Sequence, residues 1–197
     1  AILSMLTVYC TAMTYKSLRT IHQWHNGWTV PNYLLLAAAG GAVWLYSISS
    51  SFIYIPFTWK LGVLIVILFS WFLKSRYWKF IDFAVSSSTP ESATGLGQFG
   101  KVTRFENPHT AENYLLKEMG FKIAQKHSLK LRRYAQIFAF MLPSMILIWE
   151  LFFSDIIAAN SVGVGLRAAA SISIFFGLLI ERWLFFADAK HVVTLYY

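Results

Sequence analysis

The chain has 197 residues, of which 57% are hydrophobic and only 13% are charged, whereas soluble domains carry about 25% charged residues. This composition excludes an ordinary soluble globular protein. The net charge of +8 is also found in nucleic-acid-binding proteins, but here the basic residues lie beside apolar runs, so membrane topology explains them better. The single cysteine, Cys10, excludes an intrachain disulfide and any cysteine-ligated metal or iron–sulfur site within this chain.

The start of the chain favours a segment from within a longer protein. Ala1 is not a methionine, and the hydrophobic run from Ile2 to Met13 lacks the basic segment that opens a signal peptide. The chain ends at Tyr196 and Tyr197 with no polar tail. We therefore expect that the first helix is shortened and that the C-terminus is clipped as well.

Five apolar segments are predicted to cross a membrane as helices, since about 20 apolar residues span the bilayer core. They lie at 1–15, 33–52, 55–73, 134–153 and 166–186. The predicted fold class is therefore an all-α, polytopic transmembrane bundle. Many of the eight tryptophans lie near the ends of these runs, as in the aromatic belts of membrane interfaces.

Positive charge orients this predicted bundle. Of the 17 Lys and Arg residues, 15 fall on one side, and only Lys60 and Arg167 fall on the other. Such an excess marks the cytoplasmic flanks of membrane spans. We predict a multi-pass protein of the bacterial inner (cytoplasmic) membrane, with three spans in 1–75, a basic cytoplasmic loop in 76–133 and two spans in 134–197.

The long loop is predicted to carry an amphipathic helix from Thr110 and a set of basic residues: Lys101, Arg104, Lys122, Lys126, Lys130 and Arg133. From Lys122 onward these residues recur at helical spacing and lead into the fourth span. One interpretation is a helix lying on anionic lipid. The other is a docking face for a soluble partner protein, and both can hold together.

A glycine pattern in the same loop is weak evidence for nucleotide binding. Gly95, Gly97 and Gly100 satisfy G-x-G-x-x-G, but no strand is predicted before them and no βαβ unit surrounds them. We interpret these glycines as residues that allow the loop to fold tightly.

None of the five histidines lies in the middle of a predicted span. His22 and His25 follow the first span, His109 and His127 lie in the long loop, and His191 lies beyond the core of the fifth span. Membrane b-type haem needs axial histidines inside the spans. We therefore expect no haem in this chain.

Two charged residues lie inside the last span. At 1.5 Å per residue, Glu181 is about 20 Å along a helix that begins at Arg167, in the cytoplasmic third of the membrane. Glu181 and Arg182 are either an internal ion pair that fixes helix packing or part of a pocket that binds a quinone head group and handles its protons. Glu150 and Asp155, at the other end of the fourth span, are predicted to reach water.

An aromatic and histidine cluster lies at the same membrane level as this pair. It comprises His22, Trp24, His25 and Trp28. Such residues are typical of a wet interfacial belt. Alternatively they form the rim of the quinone pocket, because a histidine can exchange a proton near pH 7 and an aromatic ring can stack on a quinone.

Three stretches of the chain carry a family resemblance: Tyr9–Ile21 continued by Trp28–Leu36, Thr94–Val102 continued by Pro108–Phe121, and Glu181–Ala187. They resemble the membrane-anchor subunit of the dimethyl sulfoxide reductase family, in particular its sulfite dehydrogenase-like branch. Such anchors have eight spans, and the five predicted here resemble the last five.

The resemblance implies a three-subunit complex with a molybdopterin catalytic subunit, an iron–sulfur electron-transfer subunit and this anchor. It implies that the anchor exchanges electrons with ubiquinone or menaquinone and holds no haem. Glu181 and Arg182 match a polar pair in the family's last helix, whereas the family's best-known quinone-site histidine and acidic residues lie in earlier spans. Together with a cytoplasmic loop, the resemblance favours a cytoplasmic, sulfite-oxidising catalytic subunit.

Two other functions remain open at this stage. The chain is also compatible with a purely structural anchor whose complex binds quinone elsewhere. A transporter would call for an internal repeat or for paired broken helices with charges at mid-membrane. Neither is seen, because Pro143 is a lone mid-span proline, expected to kink its helix, and Gly40 and Gly41 have no counterpart.

Overall fold

The regular secondary structure of the chain is helical wherever the structure describes it, which confirms the predicted all-α class. The computed structural model describes residues 2–83, 89–103, 105–106, 126–153 and 161–189. Its helices are α1 (Ile2–Ser17), α2 (Thr29–Ser49), α3 (Phe57–Phe83), α4 (Pro90–Thr94), α5 (Ser128–Gln136), α6 (Leu142–Phe152) and α7 (Ser161–Ala187). A π-helical turn, Ile137–Met141, joins α5 to α6.

Four helical stretches among the described residues are long and apolar enough to cross a membrane. They are α2, α3, the continuous stretch Ser128–Phe152 and α7. Helix α1 has 16 residues, fewer than the roughly 20 that a span needs. The chain is therefore a multi-pass membrane protein, and the predicted number of five spans is approximate.

The described helices extend beyond several predicted ends. Helix α3 continues past Leu73 to Phe83, and the fourth stretch begins at Ser128 rather than at Tyr134. Lys and Arg are good helix formers, so the charged residues after Leu73 continue the helix instead of ending it. Lys74 in particular is buried within α3. The predicted helix from Thr110 lies outside the described residues.

The bundle has two ends. The basic end is formed by the end of α1, the start of α2, the end of α3, the start of α5 and the end of α7. The far end is formed by the opposite termini of α2, α3, α6 and α7. Helix α2 packs against α1, α3 and α7, while α7 also packs against α5, the π-helical turn and α6.

An apolar layer fills the middle of the bundle between these ends. Its buried side chains include Leu36 and Val43 of α2, Ile67 of α3, Phe140 of the π-helical turn and Ile174 of α7. Side chains from four different segments thus meet in one core. Burial of apolar surface against other helices, rather than against lipid, fixes which face of each helix points inward.

The π-helical turn meets α7 at close range because of a proline and a glycine. The Leu142 N–H donates to the Ile137 carbonyl, and Pro143 has no N–H to donate to the Phe138 carbonyl. The Ser173 hydroxyl of α7 donates to that carbonyl instead, at 2.7 Å. A Cβ at Gly177 would overlap the backbone of Ala139, so glycine is required for this approach.

The described part of the long loop is a short, tightly folded segment. The Thr89 hydroxyl accepts from the Ser92 N–H, and the Ser92 hydroxyl accepts from the Thr89 N–H, which caps α4. Gly95 and Gly100 adopt positive φ angles of 71° and 142°, as the tight-loop interpretation requires. Glu91 accepts from the Val102 N–H across the loop, and hydrogen bonds from its own backbone and from Thr89 lower its pKa.

Candidate functional site

Three charged side chains form a buried cluster at the basic end. Glu181 of α7 has no exposed surface, and its two carboxylate oxygens face two cations. Lys74 of α3 forms an ion pair with Oε1, and Arg182 Nε lies 2.6 Å from Oε2. These three residues, the basic-end cluster, carry a formal net charge of +1, so one positive charge has no counter-charge within the cluster.

The Arg182 guanidinium is the part of this cluster that remains within reach of a ligand. Its Cζ lies 4.0 Å from the centre of the Tyr33 ring and 5.1 Å from that of Phe185. Its Nη2 is buried and has no hydrogen-bond partner among the described residues, while 29% of the side chain is exposed. The Arg182 side chain is thus partly exposed, while its unpaired Nη2 lies buried beside the aromatic rings.

Trp24 and Tyr15 complete an aromatic frame around Phe185. The Trp24 ring stacks on Phe185 with a centroid distance of 5.4 Å, and its Nε1 donates to the Phe185 carbonyl at 2.9 Å. Tyr15 meets Phe185 edge-on at 5.4 Å and stacks on Tyr33 at 5.8 Å. The structure therefore brings Trp24 together with Glu181 and Arg182, which were predicted to share one site.

Helix register places a second unpaired polar atom at the level of the cluster. The Ser70 hydroxyl oxygen of α3 lies 3.0 Å from the Leu35 carbonyl oxygen of α2. Because α2 and α3 run antiparallel, one turn from this contact brings Asn32 to the level of Lys74. Asn32 Oδ1 is buried and without a hydrogen-bond partner among the described residues. An unpaired acceptor thus lies at the same level of the bundle as the basic-end cluster.

The two histidines predicted for this site make their contacts elsewhere. His25 Nδ1 lies 2.6 Å from the Lys16 carbonyl oxygen, and the His22 ring packs at 5.9 Å from that of Phe80. Both contacts tie the loop between α1 and α2 to its surroundings and do not involve α7. In the described part of the chain, no three His, Cys, Asp or Glu residues are grouped so as to hold a metal ion.

Lys74 is the member of the cluster that sequence reasoning missed. It was interpreted as a cation flanking the third span, yet it is fully buried, with its Nζ 4.3 Å from the centre of the Tyr77 ring. One signal was available: Glu181 in the last span lacked a partner on another helix. A lysine near the cytoplasmic end of a neighbouring span has the matching charge and depth.

The far end holds a second buried charged group, which corrects the prediction that Glu150 reaches water. Glu150 is 2% exposed. The Tyr46 hydroxyl donates to Glu150 Oε2, and Arg167 Nη1 lies 3.3 Å from Oε1. These three residues, the far-end cluster, come from α2, α6 and α7. Asp155, the other residue of that prediction, lies outside the described residues.

A shallow groove lies between α2 and α3 near the far-end cluster. Its volume is about 410 Å³ and its lining is apolar apart from a few hydroxyl groups. The lining includes Tyr46, Ile55, Trp59, Gly62 and Val66. This groove is a competing place for an apolar ring, and none of its lining residues belongs to the basic-end cluster.

The basic residues predicted to dock a partner are exposed wherever they are described. Lys101 lies after the glycine turn, Lys126 lies just before the fourth stretch, and Lys130 and Arg133 lie along its start. Arg104 and Lys122 lie outside the described residues. No contact with a partner tests this docking role, which stays a prediction.

The comparisons with known proteins agree on one family. The profile of the family described as "DMSO reductase anchor subunit (DmsC)" matches residues 1–187. The chain belongs to this family. The anchor is also 31% identical, over its whole length, to a sulfite dehydrogenase subunit from Allochromatium vinosum. It covers 58% of that relative's length.

Family membership confirms the resemblance seen in the sequence and makes the chain a membrane anchor of an oxidoreductase. No solved structure matches the anchor. Since the chain spans little more than half of the curated relative, the substrate and partners of the whole protein are matters for proposal.

Proposed function

We propose that this anchor links an oxidoreductase complex to membrane quinone and holds the quinone head group beside Arg182 at the basic end. A quinone head is a flat ring with two carbonyl oxygens, and it accepts electrons and protons when bound. The observation that carries the proposal is the guanidinium described above, which offers an N–H without a partner among the described residues and is bordered by aromatic rings.

The aromatic frame suits a flat ring. Tyr33 and Phe185 border the guanidinium, and Trp24 extends the frame by stacking on Phe185. Aromatic rings favour offset-stacked and edge-to-face partners. A guanidinium N–H without a partner can donate a hydrogen bond to a carbonyl oxygen that reaches it, and charge-assisted hydrogen bonds are about twice as strong as neutral ones.

Glu181 and Lys74 act on this site as positioning residues. Glu181 Oε2 holds Arg182 Nε, which fixes the plane of the guanidinium. Lys74 holds the other carboxylate oxygen, so that Glu181 does not rotate toward Nη2. The net positive charge of the cluster favours a ligand whose oxygens gain negative charge on reduction.

The rest of the proposed complex follows from the family. We propose that the anchor lies in the inner membrane of a bacterial cell, with its basic end toward the cytoplasm. We also propose that it anchors an iron–sulfur subunit and a molybdopterin subunit. Similarity to a subunit of a sulfite dehydrogenase supports sulfite as the substrate of the catalytic subunit. The distribution of Lys and Arg supports the orientation.

The Glu181→Gln variant tests the site, with Glu150→Gln as its matched control. In Glu181→Gln an amide NH2 must face Lys74 or Arg182, both of which are donors, so the guanidinium loses its fixed plane. We expect quinone-linked turnover of the assembled complex to fall roughly tenfold or more, while dye-linked turnover of the soluble subunits stays unchanged. Glu150→Gln makes the same chemical change at the far end and should leave both rates unchanged.

Unchanged quinone-linked turnover in Glu181→Gln, with complex assembly intact, would indicate a purely structural anchor. Photolabelling of the complete complex with an azido-quinone then locates the site independently of turnover. We expect labelled peptides from the start of α2 and the end of α7. Labelling confined to the groove around Trp59 and Gly62 would overturn the proposed position.

A further inference from the structure

Helix α5 presents a narrow cationic face to its surroundings. Lys130 and Arg133 are three residues apart, which places them on one side of the helix, and Lys126 lies just before the helix begins. Leu129 lies on the same side and is 68% exposed. These four residues are called the α5 face. Ala135 lies on the opposite side of the helix and is fully buried.

Arg132 fixes the α5 face in its orientation. Its Nη1 donates to both carboxylate oxygens of Asp82 on α3, at 2.8 and 2.9 Å. Its Nη2 donates to Asp188, just after α7, at 2.9 Å. The guanidinium also lies 5.7 Å from the centre of the Trp78 ring. One side chain thus joins α5 to two other helices, and such two-sided pairing holds an arginine in a single geometry.

The direction of α5 favours a protein partner over a lipid surface. A helix that binds anionic lipid lies in the plane of the interface with its apolar side buried in the membrane. Helix α5 instead continues through the π-helical turn into α6 as one 25-residue stretch that is apolar enough to span. Its face therefore runs along the axis of this stretch and does not lie across it.

We propose that the α5 face docks an acidic surface of the soluble electron-transfer subunit, and that the Arg132 bridges to Asp82 and Asp188 hold it at the docking angle. The inference rests on the proposed function, since it takes the anchor to serve such a subunit. An exposed leucine among three cations matches an interface with an apolar centre and a charged rim. Complementary charge would speed and orient the association.

A double charge reversal tests this face. Lys130→Glu with Arg133→Glu reverses two charges on α5, and the matched control, Arg76→Glu with Lys79→Glu, reverses two exposed charges near the end of α3. The full complex is purified through a tag on the anchor, and the soluble subunit that is recovered with it is quantified. We expect the amount of soluble subunit recovered to fall roughly tenfold or more with the α5 pair, and adding dye or quinone should not restore it. Recovery with the control pair should be near normal.

Two results would overturn the proposal. One is full recovery of the soluble subunit with the α5 pair reversed. The other is equal loss with both pairs, which indicates general attraction to anionic lipid. Azido-quinone labelling of the same preparations keeps this proposal separate from the quinone site, because labelling should persist when docking is lost.

Arg132→Gln provides an independent variant that leaves the α5 face unchanged. We expect a smaller loss of the soluble subunit, and Asp82→Asn with Asp188→Asn should reproduce it, since either change removes the bridges. Retention of helical circular dichroism and of azido-quinone labelling shows that the bundle is intact. Normal recovery of the soluble subunit in both variants would contradict the role of Arg132 in orienting the face.

Discussion

The two buried charged clusters use the same kind of carboxylate in different ways. In the far-end cluster, one carboxylate oxygen of Glu150 accepts a hydrogen bond from the Tyr46 hydroxyl, and the other faces the guanidinium of Arg167. The charges of Glu150 and Arg167 therefore balance. In the basic-end cluster, one carboxylate faces two cations, and the second cation, Arg182, remains partly exposed. A balanced and enclosed group fixes helices together, whereas an unbalanced and reachable group also has capacity for a ligand.

The distance between the clusters lets each be altered separately. Glu181 and Arg167 are 14 residues apart on α7, which corresponds to about 21 Å along the helix. The apolar layer around Ile174 and Phe140 lies between them. Changes at sites this far apart usually have additive effects on stability, so variants of one cluster are valid controls for the other.

The largest effect is expected from Glu181→Leu. This change leaves the buried Lys74 and the partly exposed Arg182 without a counter-charge, and removing one partner from a buried pair costs about 3–5 kcal/mol. Lys74→Met leaves a neutral Glu181–Arg182 pair and should cost clearly less. Thermal unfolding of the purified complex measures both. Equal losses would show that the charge imbalance of the basic-end cluster is without consequence for stability.

An intermediate effect is expected from Tyr46→Phe at the far end. The variant removes the hydroxyl that donates to Glu150, and a buried hydrogen bond to a charged group contributes about 1.5–3 kcal/mol. The melting temperature should fall while quinone-linked turnover per assembled complex stays unchanged. A loss of quinone-linked turnover without a fall in melting temperature would indicate that the far-end cluster takes part in ligand binding.

The smallest effect is expected from Trp24→Phe in the aromatic frame. Phenylalanine keeps a ring against Phe185 but lacks the N–H that donates to the Phe185 carbonyl, so stability should fall by about 0.5–1.5 kcal/mol. The apparent KM for a soluble quinone should rise, with kcat of the dye-linked reaction unchanged. Trp59→Phe, in the groove between α2 and α3, is the matched control and should leave that KM unaltered.

Sequence reasoning identified the helices because a membrane span has a local signature, a long apolar run. The partners of buried charges have no such signature. Glu150 was predicted to be solvated from its place at the end of a run, yet its partner Tyr46 lies 104 residues away in the chain. Arg167 was one of only two cations on that side, and this was the available clue that the two charges are paired.

At the basic end, too, the sequence did not reveal every partner of the buried charges. Glu181 and Arg182 were singled out because both lie within an apolar run, and the structure pairs them. Lys74 was assigned to a helix flank because a charge after an apolar run is typical of a span's end. Only the packing of α3 against its neighbours shows that this lysine points inward, and packing depends on residues far apart in the sequence.

The π-helical turn at Ile137–Met141 affects the direction in which α5 faces relative to α6. A π-helical turn accommodates one residue more than an α-helical turn, and each residue rotates a helix by about 100°. Deleting one residue there, and so restoring regular α-helix, would leave the cations of α5 on the side they face now, whereas converting the turn to α-helix without a deletion would rotate them by about 100° while α6 stayed in place. The bulge therefore sets the angle between the portion of this helix embedded among its neighbours and the portion that we propose docks another protein.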